Sequence, residues 1–325
     1  MKLTNQTGLP AFLMRTVIDE QRIAAVVFAR ISYDIRPDGT LARRAEQPWI
    51  VSRPPWDGPR GPMPSDEVFY RGGVDVLVFG QAWTPRGRPG YASLVRVTVG
   101  QALDSKVFVF GDRFWQGRGR TLTASDPRPF TSMPLDLAHA YGGKFVWDGL
   151  EVPFPSNPLG KGFARDIEDA VGKPLPNLEN PDQLIRAWND SPDPVGVGLR
   201  PAAFESHFRT TLEFAENGVL RKLSPRFFNV AFPGMIAERV EPGDPVTLEG
   251  VSPDGPLRFV IPPPPLSVDL GIGGARIIKD LAVDQIGVET EERRVFIAYR
   301  FPFRYTIVPR QTRFCVLRET ARARA

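Results

Sequence analysis

The chain has 325 residues, 42% of them hydrophobic, and its 41 Lys plus Arg against 37 Asp plus Glu give a net charge of +4. Such a length and composition suit a globular protein able to bury a sizeable core. The single cysteine, Cys315, excludes an internal disulfide framework and a CxxC-type zinc site, and the scattered arginines lack the contiguous basic face that nucleic acid requires.

No apolar run approaches the ~20 residues that span a bilayer, and Met1–Arg15 has no basic start followed by an apolar signal core. A cytoplasmic chain without a membrane anchor is the expectation. The densest basic clusters, Arg86/Arg88 and Arg118/Arg120, fall in Gly/Pro loops and read as solvated surface.

After a lead of residues 1–19, Val27, Ala29, Ile31, Tyr33 and Ile35 alternate with Arg30, Ser32, Asp34 and Arg36. Period-2 alternation predicts a strand with one dry face. From Gln47 to Pro64 the chain is crowded with proline and glycine, and because proline fixes φ and removes an amide donor the stretch reads as a surface loop. Val76–Trp83 and Val107–Trp115 then echo each other, each an apolar run leading to Val-Phe-Gly and an aromatic, with the alternating Leu94–Val99 between them. The three read as the middle of a sheet, with Val107–Phe110 covered on both faces.

Beyond Trp115 the pattern predicts short helices: Leu135–Tyr141 capped from Ser132-Met133-Pro134, Asp166–Val171, Asp182–Trp188, and one set by Phe204, Phe208 and Leu212, where Thr210-Thr211 leaves a strand as the alternative. Strand runs return at Val246–Leu248, Leu257–Ile261 and Arg294–Arg300. Pro262–Pro265 predicts a rigid exit from a strand, and Ala321–Ala325 a frayed tail. The predicted class is mainly β, an antiparallel sandwich-like architecture over 20–305 with a loop-rich, partly helical insertion at about 116–225 and a C-terminal extension, 306–325.

Catalytic signatures are sparse. Neither histidine lies in a HExxH, HxH or GxSxG setting; His139 reads as a hydrogen-bonded structural group and His207, beside Glu205 and Arg209, as a solvated one. Cys315, in the apolar run Arg313–Leu317, reads as a buried thiol. Gly271-Ile272-Gly273-Gly274 lacks the spacing of a dinucleotide loop, and Lys161 lacks the flanks of a phosphate loop. No cofactor or metal is expected. Carboxylates are the remaining route: Asp66, Glu67 and Asp75 precede the echoing runs, and Asp284 and Glu289 flank a late strand. A hydrolase using Asp66, Asp75 or Asp112 is therefore one alternative. A carbohydrate-binding surface, from the six tryptophans, is another. Asp112-Arg113 is expected to form an inward ion pair fixing the end of its strand.

An ordered series of phrases goes further. Asp75–Ala82, Val95–Gly100 and Gly111-Asp112-Arg113-Phe114-Trp115 are followed by Met133-Pro134-Leu135, Ala140-Tyr141-Gly142-Gly143, Asn157-Pro158-Leu159-Gly160-Lys161-Gly162, Leu175-Pro176-Asn177-Leu178-Glu179 and Asp284 with Arg293–Arg300. Across roughly residues 20–305 the series resembles the domain-of-unknown-function family 2169. Ala231-Phe232-Pro233-Gly234-Met235-Ile236 departs from it, lacking an acidic-Gln pair after the proline. The resemblance implies a non-enzymatic adaptor or chaperone that loads an effector toxin onto the VgrG/PAAR spike of a type VI secretion system. It brings no catalytic residues. The motif residues Gly111, Asp112, Arg113, Trp115, Tyr141, Gly142, Gly143, Asn157, Pro158, Gly160, Pro176 and Asn177 are the candidate interaction positions. Those with turn chemistry are expected first to shape the insertion.

Overall fold

The computed structural model describes residues 1–118 and 121–320; the Arg118 side chain, Arg120 and the Ala321–Ala325 tail lie outside the described residues. Strand outweighs helix, 47% to 8%, so the protein is mainly β.

In chain order the strands of the three larger sheets are β1 (Leu3–Asn5), β2 (Ala11–Val17), β3 (Arg22–Ile35), β4 (Leu41–Arg43), β5 (Val74–Phe79), β6 (Ala92–Val99), β7 (Leu103–Phe110), β8 (Leu178–Glu179), β9 (Ile236–Ala237), β10 (Pro245–Glu249), β11 (Leu257–Val260), β12 (Leu266–Ile272), β13 (Ala275–Asp280), β14 (Ala282–Glu289), β15 (Arg294–Thr306) and β16 (Arg313–Glu319). The first sheet runs β2-β3-β15-β14-β5-β9 with β4 beside β3; the second runs β8-β7-β6-β10-β11 and the third β1-β16-β12-β13. Segments 1–19 and 306–320 thus supply strands of their own. Within 116–225 lie paired short strands and the α-helices α1 (Ile167–Ala170) and α2 (Glu205–Thr211). No helix among the described residues is long and apolar enough to cross a membrane.

Antiparallel pairing, expected throughout, holds in the second sheet but not in the others. Strand β5 runs parallel to β14, with Asp75 opposite Gln285, and β1 runs parallel to β16. A tight hairpin forces antiparallel neighbours, whereas strands so distant in sequence are free in direction.

The two echoing runs belong to different sheets, β5 to the first and β7 to the second. They part at Gly80, where φ is +153° and a Cβ would fall 1.9 Å from Thr290 Oγ1, so glycine alone fits where the chain leaves β5. Val76 and Val78 nevertheless share one apolar core with Val95, Val97, Val107 and Val109. On the opposite face of β7, Phe108 and Phe110 are half-buried rather than covered.

Strand β3 has two dry faces, not one. Val27, Ala29 and Ile31 are buried, and so are Phe28, Arg30 and Ser32 on the other side. The cover comes from the Gln47–Pro64 stretch and the residues after it. Instead of a mere surface loop it carries a hairpin, Trp56–Gly58 with Gly61–Met63, and seats the fully buried Trp49 with its ring 4.5 Å from that of Phe296. Gly287, opposite Phe296, leaves room for that ring, since a Cβ there would come within 2.0 Å of it.

Helix α1 starts at Asp166, whose carboxylate accepts from the Asp169 amide at 2.9 Å, and α2 follows the Phe204/Phe208 spacing. The helix expected over Leu135–Tyr141 is instead a strand, Ser132–Pro134, and one 3-10 turn, Leu137–His139, capped by Asp136. Asp182–Trp188 is irregular because side chains take its amides: Glu179 accepts from Ile185 at 2.9 Å, and Asp190 from Arg186 at 2.8 Å and Ala187 at 2.9 Å. Pro262–Pro265 joins β11 to β12 without helix or strand.

Candidate interaction site

The motif residues are far apart in sequence and meet in space. Strand β7 ends at Phe110, whose amide donates to the Asn177 carbonyl at 2.8 Å and whose carbonyl accepts from Asn177 Nδ2 at 2.9 Å. The buried Asn177 also donates its backbone amide to the His139 carbonyl at 2.8 Å and Nδ2 to Asp112 Oδ1 at 3.2 Å. A primary amide suits this post because one nitrogen carries two donors. Asn157, equally buried, acts alike: Nδ2 donates to the carbonyls of Leu137 at 2.8 Å and Tyr141 at 3.0 Å, while its own carbonyl accepts from the Gly143 amide at 2.8 Å. Leu137–Gly143, Asn157–Gly162 and the end of β7 are thereby tied into one knot.

The glycines are what let these backbones touch. A Cβ on Gly142 would lie 2.1 Å from the Asn157 carbonyl oxygen, on Gly143 2.5 Å from that of Gly160, and on Gly111 1.8 Å from that of Arg128. Gly160 is closed in by the Ala140 carbonyl at 2.5 Å. Tyr141 is buried and pairs in parallel with Lys161, and burial pushes its hydroxyl above the usual range. Pro158 is exposed, whereas Pro176 is buried and offers its carbonyl to Arg113 at 2.9 Å.

Arg113 does enter an inward ion pair, but with Glu179 and not with Asp112. Its guanidinium lies 4.2 Å over the Phe110 ring. Asp112 is exposed, 4.0 Å from Lys161 Nζ, since successive residues of an extended chain point to opposite sides. Trp115 anchors a small separate core with Leu122, Ala170 and Leu175, and its amide donates to the Lys173 carbonyl at 3.0 Å. Three further residues complete the knot: Glu179, Tyr91, whose carbonyl accepts from the Gly111 amide at 3.0 Å, and Arg128, whose amide donates to the Asp112 carbonyl at 3.0 Å; of these only Glu179 lies inside a motif phrase.

The exposed hairpin beside this region mixes apolar and charged side chains, with Lys144, Asp148 and Glu151 exposed among its apolar ones. Immediately after Gly143 the chain forms a hairpin, Lys144–Trp147 with Leu150–Pro153, turning at Asp148 and Gly149 with φ of +49° and +76°. Val146, Trp147 and Leu150 stand exposed on it, and Leu159 is exposed nearby in sequence. Asp148-Gly149 between apolar runs is itself a hairpin signal in the sequence. Leu159 also lines a groove of about 440 Å³ with Val78, Phe79, Leu135, Leu137 and Phe232. Asp136, on the same lining, receives His139 Nδ1 at 2.6 Å, which holds its carboxyl below the ordinary range. Desolvation pulls the Lys161 amine down despite Asp112 and Asp136.

Of the acids of the hydrolase alternative, Asp112 lies in this knot, whereas Asp66 and Asp75 lie elsewhere and are occupied, as are Asp284 and Glu289. Asp66 pairs with Arg30 at 2.7 Å; Asp75 takes Arg71 at 3.0 Å, Asn229 Nδ2 at 2.9 Å and the Val230 amide at 3.2 Å. Asp284 sits between Arg71 and Arg300, each at 2.7 Å, and Glu289 accepts from Trp49 Nε1 at 3.0 Å. These groups satisfy one another across the first sheet, where a lone charge would be costly. His207 is buried, not solvated, with Nε2 3.1 Å from the Phe227 carbonyl, and burial lowers its pKa. No cluster of potential metal ligands occurs among the described residues.

Fold and site together define a mainly β protein whose motif residues converge on one backbone knot. The chain belongs to a bacterial family described as "uncharacterized protein conserved in bacteria" (DUF2169), whose family model matches residues 20–300. No curated protein and no solved structure matches it.

Proposed function

We propose that this protein is a cytoplasmic, non-enzymatic adaptor or chaperone that holds an effector toxin or a PAAR/VgrG spike component for loading into a type VI secretion system, on a sandwich-like β scaffold. One observation carries the reading: most of the motif residues are consumed in a hydrogen-bonded backbone frame, and the hairpin that follows it exposes Val146, Trp147 and Leu150. Exposed apolar side chains gathered on one element mark a partner surface, and rigid scaffolds commonly display binding loops.

The test is co-purification with the products of neighbouring genes, using the intact chain and a Trp147→Ser/Leu150→Ser variant. The intact chain is expected to retain an effector or spike protein and the variant to lose it, with stability altered by less than about 0.5 kcal/mol as is usual at exposed positions. A gene neighbourhood without secretion components and no recovered partner would sink the proposal; full retention by the variant would move the site off the hairpin.

A further inference from the structure

Strand β13 closes the third sheet and, among the described residues, has no strand neighbour on its outer side. Among the described residues it is the one strand exposed at every position, and Ile277 and Ile278 are 47% and 58% open. Sheet edges are ordinarily blunted by charged side chains, proline, a bulge or a covering segment, and of these β13 carries only the charges of Arg276, Lys279 and Asp280. Strand β13 is Ala-Arg-Ile-Ile-Lys-Asp, pairing with β12 in unbroken register from Ile272 opposite Ala275 to Ser267 opposite Asp280.

The turn decides which backbone groups face out. Ile272 and Ala275 flank a two-residue loop, Gly273-Gly274, with φ of +59° and +90°, the primed geometry of a tight hairpin. The pair flanking such a loop exchanges hydrogen bonds, and the direction alternates from there. Ala275, Ile277 and Lys279 therefore bond to β12. The amides and carbonyls of Arg276, Ile278 and Asp280 point away from the sheet.

We propose that β13 pairs antiparallel with β13 of a second copy of this chain, across a two-fold axis at Ile278. A two-fold axis through a continuous sheet must set one residue opposite itself. Centred on Ile278, it matches every outward amide with an outward carbonyl and sets Arg276 opposite Asp280 of the second copy, twice by symmetry. Centred on Ile277, it would set Arg276 opposite an isoleucine. Charge complementarity selects the first register, in which the two exposed Ile278 side chains also cover each other. Arg276 already grips Asp269 through Nε at 2.8 Å and Nη2 at 2.7 Å, but its side chain stays 58% exposed, so the contact with Asp280 of the second copy falls to its outer nitrogen, Nη1.

Sedimentation velocity on the full chain over roughly 1–100 μM tests the proposal. A dimer is expected, with a dissociation constant raised at least about tenfold in Ile278→Pro, which removes an outward amide and spares the bonds to β12, and in Asp280→Arg, which sets like charges opposite. Arg276→Glu alone is expected to weaken the dimer too, and mixing it with Asp280→Arg to restore it, because each copy then meets its opposite charge. Melting curves on every variant verify folding, and Asp280→Arg, at an exposed position, keeps the test open if Ile278→Pro does not fold. A monomer at all concentrations overturns the proposal. So does a dimer indifferent to the folded variants, and failure of the mixture to re-form the dimer overturns the register.

Discussion

Arg113 and Glu179, 66 positions apart in sequence, form a buried ion pair that clasps the end of β7 to β8, with the Pro176 carbonyl as a further acceptor at 2.9 Å. Removing either partner strands the other as an unpaired buried charge, a loss of about 3–5 kcal/mol. Arg113→Ala and Glu179→Ala are each expected to fall on that scale in urea unfolding. Asp112→Ala removes an exposed contact to Asn177 at 3.2 Å and is expected to cost under about 1 kcal/mol. An ion pair between Asp112 and Arg113, as the sequence suggested, would reverse the ranking.

Gly142 and Gly149 make a matched pair of tests for the knot. Both have positive φ, +144° and +76°, but a Cβ on Gly142 would collide with the Asn157 carbonyl while Gly149 has nothing within 4 Å. Gly149→Ala bears only the cost of a left-handed backbone, about 1–2 kcal/mol. Gly142→Ala must also push two backbones apart and is expected to exceed that by at least about 1 kcal/mol in thermal or urea unfolding. Equal losses would mean that the 142–157 contact yields easily and does not hold the motif loops together.

Acid should act on the fold through Asp284. Burial alone would raise its carboxyl, but the charges of Arg300 and Arg71 outweigh that and hold it below the ordinary range. A folded pKa below the unfolded value of about 3.9 means that the stabilisation is complete above that value and fades as pH falls through it toward the folded pKa. Below about pH 4 this one group contributes a slope of up to about 1.4 kcal/mol per pH unit. Asp284→Asn is expected to lower stability at pH 7 and to flatten that slope, both measured by urea unfolding across pH; an unchanged slope would show that other acids govern the transition.

Much of the strand inventory was legible, because alternation and β-branched runs survive in local sequence, as in Leu94–Val99. Which sheet a strand joins is not local: nothing in Val76–Trp83 or Val107–Trp115 encodes that Gly80 abuts Thr290, more than two hundred residues on. Arg30 and Ser32 marked a wet face by polarity, yet Arg30 donates to the Ile50 carbonyl inside the stretch that proline content had placed outside, and its charge is answered by Asp66 just beyond that stretch. The motif series named residues that the fold ties into the knot, but nothing in it revealed how they bond. Asn157 and Asn177 read as turn residues, and only the fold turns their amides into buried double donors.

Cys315 offers a readout of how firmly the two ends of the chain are held. It is fully buried on β16, opposite Leu3 of β1 on one side and Leu270 of β12 on the other, and burial pushes its thiol up to about 12. The thiolate is the reactive form, so at pH 8 roughly one molecule in ten thousand would be ionised even with the reagent at hand. Labelling must therefore wait for β16 to leave its sheet, and its rate measures that opening. The native chain is expected to react at least about a thousandfold more slowly than the urea-unfolded chain, in which the thiol has its ordinary pKa. Deleting residues 1–6 removes the parallel neighbour of β16 and the Gln6 amide that donates to the Leu317 carbonyl at 3.0 Å, but leaves β12 in place. The truncated chain is expected to label faster while its main unfolding transition moves little. Equal rates would mean that β1 contributes nothing to retaining β16, and that the antiparallel bonds to β12 hold the C-terminal strand alone.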